Sequence, residues 1–153
     1  MAIEEAFNFI RIDDLIATCG QPTEEQFRDA RKAGYEVVIN LASDGLVSSL
    51  PGEDELLASL GVEYHHIPVA WNAPHLDQLQ EFEELMLENS GRMTLIHCQA
   101  NYRVTAFFAS FATAKLGWNH DQADALIERV WQNPRIQMED TWMAFVAAAR
   151  QRR

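Results

Sequence analysis

The sequence predicts an α/β fold in which a mostly parallel central sheet of four or five strands is flanked by helices. Two observations lead to this prediction. Short apolar runs rich in β-branched residues alternate with segments of helical periodicity. Glycine follows two of the helical segments, at Gly34 and Gly61, where a helix typically ends. Because parallel strands need helical crossovers, this alternation favours a sheet that is covered on both faces.

The first elements are a strand pair and a helix. Residues 7–12 and 15–19 have the pattern of two weak strands that turn at Asp13 and Asp14. Thr23 with Gln26 three positions later forms a capping-box pattern, which opens a helix that Gly34 closes. The sequence therefore predicts a short hairpin at the start of the sheet, followed by a helix.

The middle of the chain alternates strands and helices. The predicted strands are residues 37–41, 62–69 and 93–97, and the predicted helices are residues 53–60 and 76–88. The helix at 76–88 is amphipathic, and its apolar face carries Leu76, Leu79, Phe82, Leu85 and Met86. The adjacent His65 and His66 lie on a predicted strand and face opposite ways, so they do not form a metal pair.

The last third is helical. Residues 102–116 are almost wholly apolar, which predicts a central buried helix. Asn119 is placed to cap the next helix, which is expected to stop before Pro134. Residues 139–150 form the last predicted helix.

Size and charge limit the function classes. The 153 residues fit one domain, taken as residues 1–153, and 12 basic against 23 acidic residues give a net charge of -11. This excess of acid argues against nucleic acid or a membrane as partner, and the longest uncharged apolar stretch, residues 104–114, is too short to cross a bilayer. The opening residues lack a secretory signal, and Cys19 and Cys98 are expected to be reduced, so a cytoplasmic setting is expected.

One segment carries candidate chemistry. The predicted strand at 93–97 ends in His97 and Cys98, and a short polar loop leads from there into the apolar helix. Ligands bind at the carboxyl ends of parallel strands, so Cys98 is expected at the mouth of a cleft with the amides of the loop around its sulfur. Those amides favour a thiolate nucleophile, and Arg103 brings a planar fork of donors that matches two phosphate oxygens.

This combination resembles the active-site loop of the cysteine-dependent protein tyrosine and dual-specificity phosphatases. Those enzymes usually place five residues between cysteine and arginine, whereas four stand between Cys98 and Arg103. The chain also resembles a small bacterial branch of this superfamily, related to the phosphatase-like domain of beta-lactamase-hydrolase-like proteins, which uses the shorter spacing. The matching segments are Cys19-Gly20-Gln21-Pro22-Thr23, Val38-Ile39-Asn40-Leu41, Ile67-Pro68-Val69, His97-Cys98 and Arg103-Val104-Thr105-Ala106-Phe107.

The resemblance implies a cysteine-phosphatase-like fold and a set of site residues. It makes Cys98 the nucleophile that forms a phosphocysteine and Arg103 the group that binds the phosphoryl oxygens. His97 would fix the shape of the loop, and the Thr105 hydroxyl is a candidate partner of the thiolate. Asn101 suits a position with positive φ. The residues expected to contact the phosphoryl group through the loop are Gln99, Ala100, Asn101 and Tyr102.

Residues after the Ile-Pro-Val strand bear on the leaving group. Trp71 is a candidate wall of the cleft. Asn72 stands near the place where such phosphatases carry an acidic residue, and an amide cannot donate a titrating proton. The nearest carboxylate, Asp77, more naturally caps or begins the next helix. Slow turnover, or substrates whose leaving group needs no proton, is therefore expected.

Three functions remain open from the sequence. The first is hydrolysis of phosphomonoesters, phosphotyrosine among them. The second is a rhodanese-like sulfurtransferase, because a loop of four residues after the cysteine suits a persulfide. The third is a binding module for phosphate or a phosphorylated protein, suggested by the missing acid at Asn72. In each case the partner is a phosphate-containing substrate or another oxyanion, no metal or other cofactor is expected, and the oligomeric state is open.

Overall fold

The computed structural model describes residues 1–43, 49–131 and 138–152. Its centre is a five-stranded sheet in the order β1-β2-β5-β3-β4. Only the β1–β2 pair is antiparallel, so the expected mostly parallel α/β architecture is confirmed. The strands are β1 (Ile10–Arg11), β2 (Ile16–Cys19), β3 (Val37–Asn40), β4 (Glu63–His66) and β5 (Thr94–His97).

Six α-helices join and cover these strands within the described residues. They are α1 (Glu24–Ala33), α2 (Glu53–Ser59), α3 (Leu76–Glu88), α4 (Tyr102–Lys115), α5 (His120–Trp131) and α6 (Asp140–Arg150). A 3-10 turn at Ile3–Glu5 precedes the first strand. None of the helices described has both the length and the apolar character of a membrane span.

The core lies on both faces of the sheet. On one face, Val38 and Leu95 pack with α1 and α2; on the other, Ile39 and Ile96 pack with α3 to α6. This division follows from the alternation of side chains along a strand. The central β5 is buried along its whole length, and its carboxyl end is therefore held from both sides. That residues 1–153 form a single phosphatase-like domain stays a prediction.

The capping pattern at the start of α1 is confirmed. The Thr23 hydroxyl accepts a hydrogen bond from the Gln26 amide at 3.1 Å, and the Gln26 side chain accepts one from the Thr23 amide at 2.9 Å. Gly34 ends the helix with φ of 108°, a conformation that glycine adopts without strain. The bounds of α3 also match the predicted 76–88.

Two predictions about elements are corrected. The strand expected at 62–69 is limited to β4; beyond it the amides of Ile67 and Val69 still donate to the Asn40 and Leu41 carbonyls, but Pro68 between them has no N–H to continue the ladder. Leu76 was expected on the buried face of its helix but is 37% exposed, since it begins α3 ahead of the turns that pack on the sheet. Asn119 caps α5 through Gln122, whereas the expected helix stop before Pro134 lies outside the described residues.

Candidate active site

The carboxyl edge of the parallel strands gathers the residues that the sequence singled out. The central β5 ends at His97, and Asn40 is its partner at the end of the neighbouring β3. A short loop then joins β5 to the first residue of α4, Tyr102. The cysteine and the arginine of the motif therefore meet at the edge of the sheet where ligands bind in folds of this class.

A cavity of about 390 Å³ opens beside this loop. Cys98 is only 1% exposed, so its sulfur lies on the floor of the cavity and not at the mouth of a cleft as expected. The loop leaves the end of β5, which lies between β2 and β3, and leads into α4. Cys98 is its first residue. The cavity is lined by Ser43, Trp71, Cys98, Gln99, Ala100, Tyr102 and Arg103.

The carbonyl groups of the loop are held on the side away from the cavity. The Cys98 carbonyl lies 3.2 Å from Nδ1 of His97, and the Gln99 carbonyl accepts a hydrogen bond from the Gln21 amide at 3.1 Å. In a planar trans peptide the N–H points opposite to the C=O, so the N–H groups of Gln99 and Ala100 are turned the other way. No described residue accepts a hydrogen bond from either N–H. These two donors are thus available to an anion.

Asn101 completes the turn of the loop from outside the cavity. Its φ of 70° confirms the expected positive-φ conformation. The side chain is buried, and its Nδ2 donates to the Asn8 carbonyl at 2.8 Å and to the Thr18 hydroxyl at 3.0 Å. Asn8 in return donates to the Ala100 carbonyl at 3.0 Å. Asn101 therefore fastens the loop and does not line the cavity, which corrects its expected contact with substrate.

Arg103 lies buried in the first turn of α4, with 3% exposure. Its Nη1 donates to the Ser43 hydroxyl at 3.1 Å and to the Val69 carbonyl at 2.8 Å. The guanidinium carbon lies 5.8 Å from the centre of the Trp71 ring, within reach of a cation–π contact. No described carboxylate pairs with this guanidinium, and Nε and Nη2 have no described acceptor. The buried cation is oriented and has no counter-charge among the described residues.

Three other predicted contacts are placed elsewhere. Thr105 is fully buried, and its hydroxyl donates to the carbonyls of Asn101 and Tyr102, so it stabilises the start of α4 and not a thiolate. His97 faces away from the cavity. Asn72 is exposed and does not line it. None of these three side chains lines the cavity.

No described carboxylate lines the cavity. Asp77 is exposed in the first turn of α3, one position after Leu76, and the N-cap is His75. Glu139 accepts a hydrogen bond from the Trp71 indole at 3.1 Å, yet it lies behind the wall that Trp71 forms. The described lining thus holds one cation and no acid.

Aromatic rings form one wall of the cavity. Trp71 and Tyr102 both line it, and each stacks on Trp131, at 5.5 Å and 4.8 Å between ring centres. The buried Trp142 donates its indole N–H to the Trp71 carbonyl at 2.8 Å. This cluster gives the wall an apolar surface fixed by its neighbours.

Behind the loop, the side chains of His97 and Glu53 form a buried contact. Nε2 of His97 is 2.7 Å from Oε2 of Glu53, with side-chain exposures of 0% and 6%. The other carboxylate oxygen of Glu53 accepts a hydrogen bond from the Gln21 side chain at 2.7 Å. Burial alone would raise the pKa of Glu53, but hydrogen bonds from His97, Gln21 and Tyr64 outweigh burial and hold that pKa below its usual range.

A second cavity, of about 440 Å³, adjoins the first and shares Ser43 with it. It is polar where the first is aromatic. Side chains around it include Gln21, Asn40, Ser49, Glu53, Tyr64 and His66.

Cys19 is close to the loop but lies on the other face of the sheet. It pairs with His97 across β2 and β5, so its side chain shares the face of His97 and is opposite to that of Cys98. Burial, and then the nearby Cys98, raise the pKa of the Cys19 thiol. Cys19 is completely buried.

Sequence reasoning missed the residues that hold the site together. Ser43 follows the carboxyl end of β3, a position that could have marked it as a cavity residue. Asn8, Gln21 and Glu53 act over 92, 78 and 44 positions respectively, and only Gln21 carried a signal, as part of the matching segment at 19–23. Of the described residues, no three His, Cys, Asp or Glu side chains are grouped to hold a metal ion.

Comparison with solved structures identifies the fold. A DUF442 protein from Shewanella putrefaciens, described as a candidate phosphatase, superposes with a TM-score of 0.83 at 26% identity, over 96% of this chain and 93% of that one. The chain has the fold of the protein tyrosine phosphatase-like phosphatases. Tk-PTP in its active form shares this phosphatase fold with a TM-score of 0.79 at 22% identity, over 95% of this chain and 98% of that one.

A more distant phosphatase-like neighbour shows the fold alone. The core catalytic domain of SIW14 from S. cerevisiae, a PP-IP phosphatase, has a TM-score of 0.75 at 14% identity, over 93% of this chain and 85% of that one. The likeness across these structures shows that they share one fold with this chain.

Curated sequences give the resemblance expected for this phosphatase-like chain. A beta-lactamase hydrolase-like protein of Xylella fastidiosa is 27% identical over 120 residues, which are 76% of this chain and 28% of the relative. The corresponding protein of Agrobacterium fabrum is 26% identical over 102 residues, 65% of this chain and 23% of the relative. The match thus spans about a quarter of each relative's length. No protein-family model matches the chain.

Proposed function

We propose that the protein is a cysteine-dependent phosphatase that hydrolyses phosphomonoesters through a phosphocysteine intermediate. One observation carries the proposal: Cys98, Arg103 and the residues Gln99 and Ala100 line one cavity, and two Arg103 nitrogens and both loop amides have no hydrogen-bond partner among the described residues. Those donors match the oxygens of a phosphoryl group, and the sulfur beneath them is the nucleophile.

The reaction has two steps. The Cys98 thiolate attacks phosphorus, an S–P bond forms, and the P–O bond to the leaving group breaks. Water then attacks phosphorus, the S–P bond breaks, inorganic phosphate leaves and the thiolate returns. Both cysteines are free in the structure, and the chemistry needs a reduced thiol, so the proposal places the enzyme in a reducing compartment such as the cytoplasm.

The cavity favours an aryl phosphate. Trp71 and Tyr102 offer an apolar aromatic wall, which suits an aromatic ring attached to the phosphoryl group. Because no described carboxylate lines the cavity, the leaving oxygen takes its proton from water. A phenolate leaves without a proton more readily than an alkoxide, so phosphotyrosine and other aryl phosphates are the proposed substrate class.

Hydrolysis of para-nitrophenyl phosphate tests the proposal. Replacing Cys98→Ser removes the nucleophile, and we expect nitrophenol release to fall by a factor on the order of 10³ or more. Cys19→Ser is the matched control, since the same substitution on the other face of the sheet leaves the cavity unchanged. Turnover across a series of aryl phosphates should rise steeply as the leaving group becomes more acidic.

Three results would contradict a phosphatase. Equal nitrophenol release by the wild type and Cys98→Ser would mean that hydrolysis does not use this sulfur. Thiocyanate formed from thiosulfate and cyanide, with no phosphate ester cleaved, would assign sulfur transfer. Phosphate binding without any turnover would leave a binding module.

A further inference from the structure

Glu53 lies outside the cavity floor and its charge has no part in the two chemical steps above. It is 5% exposed, it begins the short helix α2, and it reaches His97 across 44 positions of the chain. A carboxylate this deeply buried is costly unless its partners are specific. Its position directly behind the Cys98 loop suggests what those partners achieve.

The hydrogen bonds of His97 define where its protons are. The Cys98 carbonyl is only an acceptor, so the Nδ1 that faces it at 3.2 Å carries a proton. Glu53 already accepts a hydrogen bond from Gln21, and the hydrogen bonds that lower its pKa favour the ionised form. An ionised carboxylate is also only an acceptor, so the Nε2 of His97, 2.7 Å away, carries the second proton.

Resting on the proposed function, we propose that Glu53 is a positioning residue that holds His97 as an imidazolium, and that this imidazolium fixes the Cys98 peptide and favours the thiolate. The carbonyl of Cys98 is kept on the His97 side, which turns the Gln99 N–H away from it. The positive ring lies one residue from the sulfur, and the carboxylate lies beyond the ring. The nearer charge has the larger effect on the sulfur.

Gln21 links this pair to the next peptide. Its side chain donates to Glu53 at 2.7 Å, while its backbone amide donates to the Gln99 carbonyl at 3.1 Å. Two successive peptides of the loop are therefore oriented from one buried group of residues. Loss of the Glu53 charge would change the support that His97 gives to the Cys98 peptide. The hydrogen bond from the Gln21 amide to the Gln99 carbonyl would remain.

Other titratable groups face the pair. Burial raises the pKa of Cys19 on β2 and of Tyr64 on β4, so both stay neutral in the working range. Asp54 on α2 is exposed, and Nε2 of His66 is 2.6 Å from the Ala42 carbonyl across the polar cavity. All four remain in the variants below, so they do not account for a difference between those variants.

The test replaces Glu53→Gln, which keeps the shape and removes the charge. A glutamine can accept from Gln21 and donate to a neutral Nε2, so His97 retains its bond to the Cys98 carbonyl but loses one proton. We expect the pH midpoint for alkylation of Cys98 by iodoacetamide to rise by about one unit, and nitrophenol release at pH 6 to fall about tenfold. Glu55→Gln, the same change at an exposed position of α2, should move neither.

A second measurement uses the wild type, so the proposal does not depend on one variant folding. Nitrogen NMR of the His97 ring at pH 6.5 should show both nitrogens protonated, and only Nδ1 protonated in Glu53→Gln. A role in stability alone would lower activity equally at every pH and leave the midpoint in place, and that result would overturn the proposal. A wild-type ring with one proton would also overturn it.

The two proposals fail separately. If the wild type releases no nitrophenol but the alkylation midpoint still rises in Glu53→Gln, the positioning role stands and the phosphatase proposal is wrong. If nitrophenol release depends on Cys98 and the midpoint is unchanged in Glu53→Gln, the phosphatase proposal stands and the positioning role is wrong.

Discussion

Arg103 uses one guanidinium nitrogen to hold the protein and leaves two for a ligand. Nη1 binds Ser43 and Val69, and the remaining donors have no described partner. A buried cation without a counter-charge is unfavourable on its own, because burial removes its hydration. A bound oxyanion would supply the missing charge, so binding and stability are expected to be coupled at this residue.

Replacing Arg103→Met tests this coupling. At a phosphate concentration about 100 times its dissociation constant, binding stabilises the wild type by about 2.7 kcal/mol, which corresponds to a rise in Tm of about 5–10 °C. We expect the rise to vanish in Arg103→Met, measured by thermal unfolding with and without phosphate. Arg28→Met removes an exposed arginine of α1 and should keep the full rise. A rise of the same size in Arg103→Met would place the anion elsewhere.

At the scale of elements, the segment between β2 and α1 supports the active-site loop by close contact. A Cβ on Gly20 would lie 2.8 Å from the Gln99 carbonyl oxygen and 3.1 Å from the Ala100 Cα. Both contacts are with backbone, so neither can be relieved by rotating a side chain. The absence of a side chain at Gly20 therefore sets how closely the loop approaches β2.

Gly20→Ala is expected to displace the loop. Overpacking of this kind costs about 1–3 kcal/mol, and we expect kcat/KM for an aryl phosphate to fall at least tenfold because the loop amides shift by several tenths of an ångström. Thermal unfolding and steady-state kinetics measure the two effects. Gly117→Ala is the matched control: it has open space but φ of 76°, so it should lose about 1 kcal/mol of stability and keep its activity. Equal activity of both variants would contradict the loop's dependence on Gly20.

The sequence predicted those element ends that depend on residues close together in the chain. The capping residues Thr23 and Gln26 lie three positions apart and satisfy each other, so the start of α1 could be identified from sequence. The end of β4 could not, because the predicted run continues to Val69 and the amides of Ile67 and Val69 still donate to the Asn40 and Leu41 carbonyls, whereas the regular strand stops at His66. Leu76 matched the apolar periodicity of α3, yet exposure depends on what that turn faces.

In the candidate site, too, the residues that are close in the chain could be predicted, whereas those brought together by tertiary contacts could not. Cys98 and Arg103 stand in one continuous segment between a strand and a helix, so their meeting followed from connectivity. Thr105 was placed wrongly because a hydroxyl in the first helical turn can bond either the cavity or the preceding carbonyls, and here it bonds the carbonyls. Glu53 reaches His97 through tertiary contacts that leave no pattern in the sequence.

At the scale of the whole molecule, the net negative charge repels the anions that the cavity is proposed to bind. The chain carries a net charge of -11, whereas the described lining of the cavity carries only the charge of Arg103. Surface carboxylates act on an approaching anion over a distance that salt controls, about 30 Å at 0.01 M and 10 Å at 0.1 M. Arg103 acts at contact, where salt screens little. Salt should therefore weaken the repulsion more than the attraction.

Activity on a dianionic aryl phosphate is expected to increase with sodium chloride. Between about 0.01 M and 0.1 M salt we expect kcat/KM to rise about two- to fivefold, measured at subsaturating substrate. Alkylation of Cys98 by the neutral iodoacetamide should change little over the same range. A fall in kcat/KM with salt would mean that attraction by the site dominates the approach of substrate.

The arrangement of tryptophans gives the molecule its own optical reporter. Three of the four indoles, those of Trp71, Trp131 and Trp142, lie within 6.2 Å of one another between ring centres, and Trp71 faces the cavity directly. Most of the chain's intrinsic fluorophores are thus grouped where an aryl phosphate would settle. Occupancy would alter the environment of emitting rings and register as a change in ultraviolet fluorescence without any attached label.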